Sequence, residues 1–284
     1  MKILYLHQYF NTPDMAFGTR SYEMARRLVQ MGHEVHMITS FRDETEKTSW
    51  FETNESGINV HWYSVPYSNK MNYAERMRAF FKFMIAATRK AQSIKADLVF
   101  ATSTPLTIAI PGVLTARKHK VPFVFEVRDL WPEMPIAIGA LKNPTLKFIA
   151  KRLEKWAYQN SSQIIALSPG MAKGIKKVQG HDENITIIPN SCDLDLFGGE
   201  RTHEDFLEEY SAFQKRPVLL YAGTIGPVNG VEWLADLALE LKEKKSSLTI
   251  VVIGEGREEE KVMNKARDKG ILNQNFFLLI CRKP

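Results

Sequence analysis

Short apolar, β-branched runs alternate with stretches of helical periodicity along almost the whole chain, and this alternation restricts the fold more than any other feature. The strand-like runs are Lys2 to Tyr9, Glu34 to Thr39, Ile58 to Val65, Asp97 to Ala101, Pro122 to Val127, Gln163 to Ala166 and Ile185 to Ile188. Between them lie amphipathic segments such as RSYEMARRLVQMG, where Tyr22, Ala25, Leu28 and Val29 form one stripe and Gly32 can end the helix. Apolar strands separated by helices imply an α/β fold, with a doubly wound parallel sheet covered on both faces.

At 284 residues the chain exceeds the usual size of one core, so two domains are expected. After IIPNSCDLDLF the texture changes: Gly198 and Gly199 lead into the acidic EDFLEEYSAF, and a fresh series begins at RPVLLYAGT. The expected organisation is a first Rossmann-like domain over residues 1–197, a linker over 198–214 and a second domain over 215–284. The second series has strands at Val218 to Ala222, Leu248 to Ile253 and Phe276 to Ile280, with helices at Val231 to Lys244 and Glu258 to Lys269. Three strands make an incomplete half of such a domain.

Residues 1–198 carry 25 Lys and Arg against 18 Asp and Glu, whereas residues 199–284 carry 13 against 14. The basic surplus of the first domain suits an anionic substrate or an anionic lipid surface. Nucleic acid is not expected, because the basic residues do not cluster beside aromatics that would stack bases. Cys192 and Cys281 lie far apart without CxxC company, and the seven histidines show no ligand spacing, so neither a disulfide framework nor a metal site is expected. MKILYLHQYF reads as a first strand rather than a signal peptide, and no window of about 18 apolar residues spans a membrane. A cytoplasmic location fits.

Within FVFEVRDLWP, the strand ends at Val127, so Arg128 and Asp129 fall at the edge of the sheet where open parallel sheets bind ligands. The first strand is followed by LHQYFNTPDMAFGTR, which offers Gly18 alone instead of G-x-G-x-x-G and argues against a dinucleotide. Gly18-Thr19-Arg20 opens a helix, where free N–H groups, the helix dipole and a guanidinium can hold a phosphate; the plainer alternative is a turn glycine and a solvated arginine. Gly254 and Gly256 in VIGEGREEE also follow a strand, but Glu258, Glu259 and Glu260 would repel a pyrophosphate there. The DLD at 193–195 is read as turn chemistry rather than a metal site.

Six segments occur in an order that resembles the retaining glycosyltransferases of family 4: AFGTRSYEMARRLVQMGHEVHMIT, VFEVRDLWPE, IIALSPGM, IIPNSCDLDLF, LLYAGTIGPVNGVEWL and VVIGEGREEEKV. The Arg-Asp-x-Trp-Pro form is similar to the branch that builds bacterial O-antigen and capsule sugars, near the fucosamine transferases. The resemblance implies the GT-B fold, with two Rossmann-like domains facing across a cleft, no metal and no cofactor. It implies transfer of a sugar from a nucleoside-diphosphate sugar to a lipid-linked acceptor, with retention, in cell-surface polysaccharide synthesis. Arg128 would stabilise charge on the diphosphate or sugar, and Asp129 would orient or deprotonate the acceptor hydroxyl. Gly18, Arg20, Gly223, Thr224, Asn229, Gly254 and Gly256 would lie along the donor. Thr224 and Asn229 stand where many members of the family have Arg and Lys. The family's E-x7-E segment would fall beyond Pro284, so the chain is expected to be truncated and slow. Two alternatives are a GT-B nucleotide-sugar epimerase and a non-catalytic remnant that binds a membrane or a partner.

In ERMRAFFKFMIAATRK, Met77, Phe80, Phe81, Met84, Ile85 and Thr88 share a helical face, with Arg78, Lys82 and Arg89 on the other. Phe83 is expected to project among Arg76, Ala79 and Lys90. Lys82, Phe83 and Lys90 are accordingly expected to face anionic lipid, attaching the chain peripherally to the inner face of the cytoplasmic membrane.

Overall fold

The computed structural model describes residues 1–15, 18–42, 49–66, 71, 73–137, 139, 141–192, 194 and 217–279. The expected linker and most of the DLD tripeptide lie outside these residues. The chain divides into two compact units, Met1–Ser191 and Cys192–Pro284.

The first unit is built on one sheet of β1 (Lys2–Leu6), β2 (Glu34–Phe41), β3 (Trp50–Glu55), β4 (Ile58–Ser64), β5 (Leu98–Thr102), β6 (Phe123–Val127), β7 (Gln163–Ala166) and β8 (Ile185–Ile187), in the order β3-β4-β2-β1-β5-β6-β7-β8. Every neighbouring pair is parallel except β3 with β4. Strand β3 has no counterpart among the apolar runs of the sequence. It is an edge strand with an exposed, polar middle, so it lacks the signature of the buried strands. Its turn into β4 is closed by the Gly57 N–H donating to Asn54 Oδ1 at 3.0 Å, with Ser56 and Gly57 in left-handed backbone.

Alternation along the strands sends side chains into two cores. Ile3 and Tyr5 of β1 pack with Phe100, Met37, Val60 and the Tyr22 and Ala25 face of α1 (Arg20–Gln30). Leu4 and Leu6 face the other way, toward a layer made by α2 (Tyr73–Ala91), α3 (Ala109–His119), α5 (Pro144–Gln159) and α6 (Pro169–Gln179). The short α4 (Glu133–Ala137) follows RDLWP directly.

Helix α2 corrects the expected orientation. Phe83 is 1% exposed and sits in the core with Ala79, Ala87 and Ala91, whereas Phe81 and Ile85 are 47% and 49% exposed. The buried stripe follows the alanines, whose small side chains let the helix lie close to the sheet and drop Phe83 between them. Phe80 is buried as the expected stripe has it, so choosing the stripe by side-chain bulk alone rotates it part of the way off the buried face.

The chain runs from β1 outward through β2 and β4, then returns to β5 and runs outward on the other side. The direction of winding reverses between β1 and β5, which opens a crevice at their C-terminal ends.

The second unit has three parallel strands in the order β11-β10-β9: β9 (Val218–Ala222), β10 (Thr249–Ile253) and β11 (Phe276–Leu279). Helices α7 (Glu232–Glu243) and α8 (Glu259–Asp268) pack Ala235, Ala238, Val262 and Ala266 onto Ile250, Val252 and Phe276.

Candidate active site

Four expected residues of the first unit, Gly18, Arg20, Arg128 and Asp129, fall in or beside the loops that leave β1 and β6 at the C-terminal edge. Arg20 begins α1 and turns back onto the sheet. Its Nε and Nη2 donate to Glu126 Oε1 at 3.0 and 2.9 Å, Nη2 also donates to the Ile188 carbonyl, and Nη1 donates to the Pro189 carbonyl. Glu126 is fully buried, and its second oxygen accepts from the Thr102 hydroxyl. Arg20 therefore neutralises a buried carboxylate and is not poised to grip a phosphate. The plainer reading of the sequence is an ion pair of Arg128 with Asp129 or Glu126; Glu126 is taken instead by Arg20, 106 residues earlier.

With Glu126 satisfied, the Arg128 guanidinium has no ionic partner among the described residues, although the side chain is partly buried. Its backbone N–H is fixed by Ser103 Oγ at 2.9 Å. Asp129 is oriented by Thr104, whose hydroxyl donates to Oδ2 at 2.8 Å. The loop is anchored by Leu130, which lies so close to α6 that a Cβ on Gly174 would sit 2.7 Å from its Cδ1.

Across the crevice, His7 and Gln8 follow β1. His7 is 3% exposed, and burial, together with Arg128 and Arg42, pushes its imidazole well below the usual histidine range. Its Nδ1 and the Gln8 Nε2 are buried without a protein partner among the described residues. A neutral imidazole after β1 thus shares the C-terminal edge of the sheet with a guanidinium and a fixed carboxylate after β6, a set suited to hold a hydroxyl beside an anion. Gly18 is tied in through Asn11, whose Nδ2 donates to its carbonyl at 3.2 Å, and a Cβ there would meet nothing within 4 Å. Sequence reasoning missed His7, Gln8 and the hydroxyls of Thr102, Ser103 and Thr104; the sole signal was their common place after parallel strands.

In the second unit, Gly223, Thr224, Asn229, Gly254 and Gly256 lie in the loops after β9 and β10. Thr224 and Asn229 are exposed in the turn that leads into α7. The two later glycines have a structural reason. A Cβ on Gly254 would sit 1.9 Å from the Gly223 carbonyl oxygen, and one on Gly256 would sit 2.1 Å from that of Ile225. The loops run side by side, and the Ile225 N–H donates to the Glu255 carbonyl at 3.0 Å.

The expected lipid-facing lysines of α2 are engaged with protein. Lys90 pairs with Glu52 at 2.9 Å and lies over the Trp50 ring, and Lys82 reaches the Ser64 carbonyl at 3.3 Å and the Tyr63 ring. Among the described residues no helix is long and apolar enough to cross a membrane, and no cluster of three metal-ligating side chains occurs.

The solved structure of HepE from Anabaena in complex with UDP and glucose aligns over 100% of this chain and 70% of its own, with a TM-score of 0.65 and 17% identity. The fold is that of the GT-B glycosyltransferases. The pattern of Glycosyltransferase Family 4 matches residues 18–196, and the chain belongs to that family. Two relatives are WcaI of Escherichia coli K12, a putative colanic acid biosynthesis glycosyl transferase, and the probable glycosyltransferase WbjE of Pseudomonas aeruginosa. WcaI is 22% identical over 98% of this chain and 72% of its own length; WbjE is 20% identical over 78% of this chain. The match spans about half of WbjE, 55% of its length.

Proposed function

We propose that the chain is a glycosyltransferase that moves a sugar from a nucleoside-diphosphate sugar to a lipid-linked acceptor, with retention, in bacterial cell-surface polysaccharide synthesis. The observation that carries this reading is the Arg128 guanidinium, without an ionic partner among the described residues, next to the Thr104-held Asp129 at the reversal of the sheet. The guanidinium offers charge to a departing diphosphate or to the transferring sugar. Asp129 accepts a hydrogen bond from the acceptor hydroxyl, and neutral His7 supplies a second polar contact. Thr224 and Asn229 offer a neutral hydroxyl and a neutral amide to the donor, whereas the Gly223 N–H already donates to the Ile253 carbonyl at 2.9 Å. The UDP and glucose bound by HepE support the donor class, and the naming of WcaI for colanic acid supports the polysaccharide context.

A lipid-linked acceptor requires the enzyme to work at a membrane. On α5, Leu146, Phe148 and Ile149 are 42%, 63% and 55% exposed beside exposed Lys142, Lys151, Arg152 and Lys155. Exposed Phe81 and Ile85 on α2, with Arg78 and Arg89, belong to the same helical layer. Apolar side chains within a basic surface suit the headgroups of anionic lipid, each basic residue contributing about 1 kcal/mol near the surface. This supports peripheral attachment to the inner face of the cytoplasmic membrane through α5 and α2.

The test is release of UDP from UDP-sugars by the purified chain, with and without a polyprenyl-diphosphate-linked sugar. Acceptor-dependent release that is lost in Arg128→Ala and Asp129→Ala supports the proposal. Conversion of donor without acceptor would instead favour an epimerase, and no turnover in either arm would overturn both. Sedimentation with phosphatidylglycerol vesicles, abolished by Phe148→Ser with Lys151→Glu and absent with phosphatidylcholine, tests the membrane surface separately.

A further inference from the structure

Three successive hydroxyls at the end of β5 each take a different group of the strand and loop beside them. The Thr102 hydroxyl donates to Glu126, Ser103 Oγ accepts the Arg128 N–H at 2.9 Å, and the Thr104 hydroxyl donates to Asp129 Oδ2 at 2.8 Å. The regular register of β5 on β6 runs from Val99↔Phe123 to Thr102↔Glu126, and the Ser103 N–H still donates to the Glu126 carbonyl at 2.9 Å. Alternating strand geometry would send three consecutive side chains to opposite faces. Here the ladder ends at Thr102, and beyond it the backbone turns so that Ser103 and Thr104 follow the RDLWP loop.

We infer that this Thr-Ser-Thr segment is the positioning element of the transfer site, and that Thr104 is the residue that aims Asp129. The inference rests on the reading of Asp129 as the acceptor-facing carboxylate. A carboxylate on a loop rotates about its last torsion unless one oxygen is fixed. Thr104 fixes Oδ2, and no hydrogen bond within the protein occupies Oδ1 among the described residues, so Oδ1 remains for the acceptor hydroxyl. This is the part played by the third member of a nucleophile–base–orienter set. Ser103 sets the backbone from which the Arg128 guanidinium extends and uses none of its five donors. Thr102 and Arg20 together satisfy Glu126, which stops that carboxylate from capturing Arg128. The three hydroxyls act on residues 24 and 25 positions later in sequence; Thr102 helps to occupy Glu126 fully, while Ser103 leaves the Arg128 guanidinium open and Thr104 leaves Asp129 Oδ1 open.

The experiment compares Thr104→Val, which removes the hydroxyl at nearly constant volume, with Thr104→Ser, which keeps it. Both are measured beside Asp129→Ala and the Thr104→Val, Asp129→Ala double variant, with the donor and acceptor that support turnover of the unaltered chain. Thr104→Val is expected to lower kcat about ten- to a hundredfold with the donor KM nearly unchanged, the cost of losing a hydrogen bond to a charged group. Thr104→Ser should recover most of the loss. Adding Thr104→Val to Asp129→Ala should cost nothing further, because nothing is left to aim. An unaltered kcat in Thr104→Val, with Asp129→Ala inactive, would overturn the positioning role and leave the reading of the site intact. Full transfer by Asp129→Ala would overturn both. If Thr104→Val fails to fold, Thr104→Ala is put through the same comparison.

Discussion

Glu154 is the group whose replacement gives the sharpest physical test. It lies on the inner side of α5, 6% exposed, and accepts a hydrogen bond from the Tyr158 hydroxyl at 3.2 Å. Burial pushes its carboxyl up from 4.5 to about 7; the Tyr158 bond opposes this, and the Glu133 charge adds to it. Between those values the folded protein binds more protons at this site than the unfolded chain does. The site's contribution is fully present below about pH 4.5 and is lost as pH rises through about 7. Each unit of pKa is worth about 1.4 kcal/mol, which sets a ceiling of about 3 kcal/mol; discounted for water reaching the rim of the carboxyl, about 2 kcal/mol remains. Glu154→Gln keeps an oxygen for Tyr158 and removes the ionisation. Relative to the unaltered chain, the variant should gain about 2 kcal/mol between pH 5 and pH 8. Urea unfolding at the two pH values, followed by tryptophan fluorescence, measures this, since Trp50, Trp62, Trp131 and Trp156 all lie in the first unit. A stability difference that is the same at both pH values would refute the reasoning.

Arg20→Met should destabilise the first unit by about 3 to 5 kcal/mol by leaving Glu126 buried and uncompensated, and adding Glu126→Gln should recover most of it; chemical unfolding of the three chains decides. Gly256→Ala puts a Cβ 2.1 Å from the Ile225 carbonyl oxygen, so the second unit should lose at least about 2 kcal/mol and open to limited proteolysis while the first stays intact. His61 has its pKa lowered chiefly by burial, partly offset by its hydrogen bond to Glu52. The unfolded chain therefore takes up protons first as pH falls below about 6.5, and stability falls with it. The His61 ring protons should titrate by NMR with a midpoint below about 6.5, and a midpoint above that value would contradict the assignment.

The parallel strands were legible because both faces of each are covered, which leaves runs such as Phe123 to Val127 almost uniformly apolar. Strand β3 was not, because an edge strand reading Glu52-Thr53-Asn54 buries little and looks like a loop. The orientation of α2 was misread for a related reason: Ala79, Ala87 and Ala91 carry the contact, and small residues weigh little in a stripe judged by bulk. The place of Arg128 and Asp129 at the sheet edge was legible because they directly follow a buried strand. The partners that fix them were not, since Thr102, Ser103 and Thr104 reach across to another strand and leave no local pattern. Gly254 and Gly256 looked like ligand glycines, yet each gives way to a backbone carbonyl of the neighbouring loop.

The place of β1 in the sheet has a consequence for synthesis on the ribosome. Strand β1 emerges before both of its neighbours in the sheet, β2 on one side and β5 on the other. Once Ser64 has left the exit tunnel, β1, β2, β3 and β4 can pair, but the free edge of β1 stays open until Leu98–Thr102 follows. The residues that emerge in that interval are those of α2, whose Phe83 and alanine face belongs on a half-built core that also needs α3 and β6. A nascent chain between about residues 65 and 102 therefore offers an unpaired strand edge and an uncovered apolar helix together. Slow translation or a stall while that stretch is emerging would lengthen exposure of both, so it is the part of translation at which chaperone capture should peak.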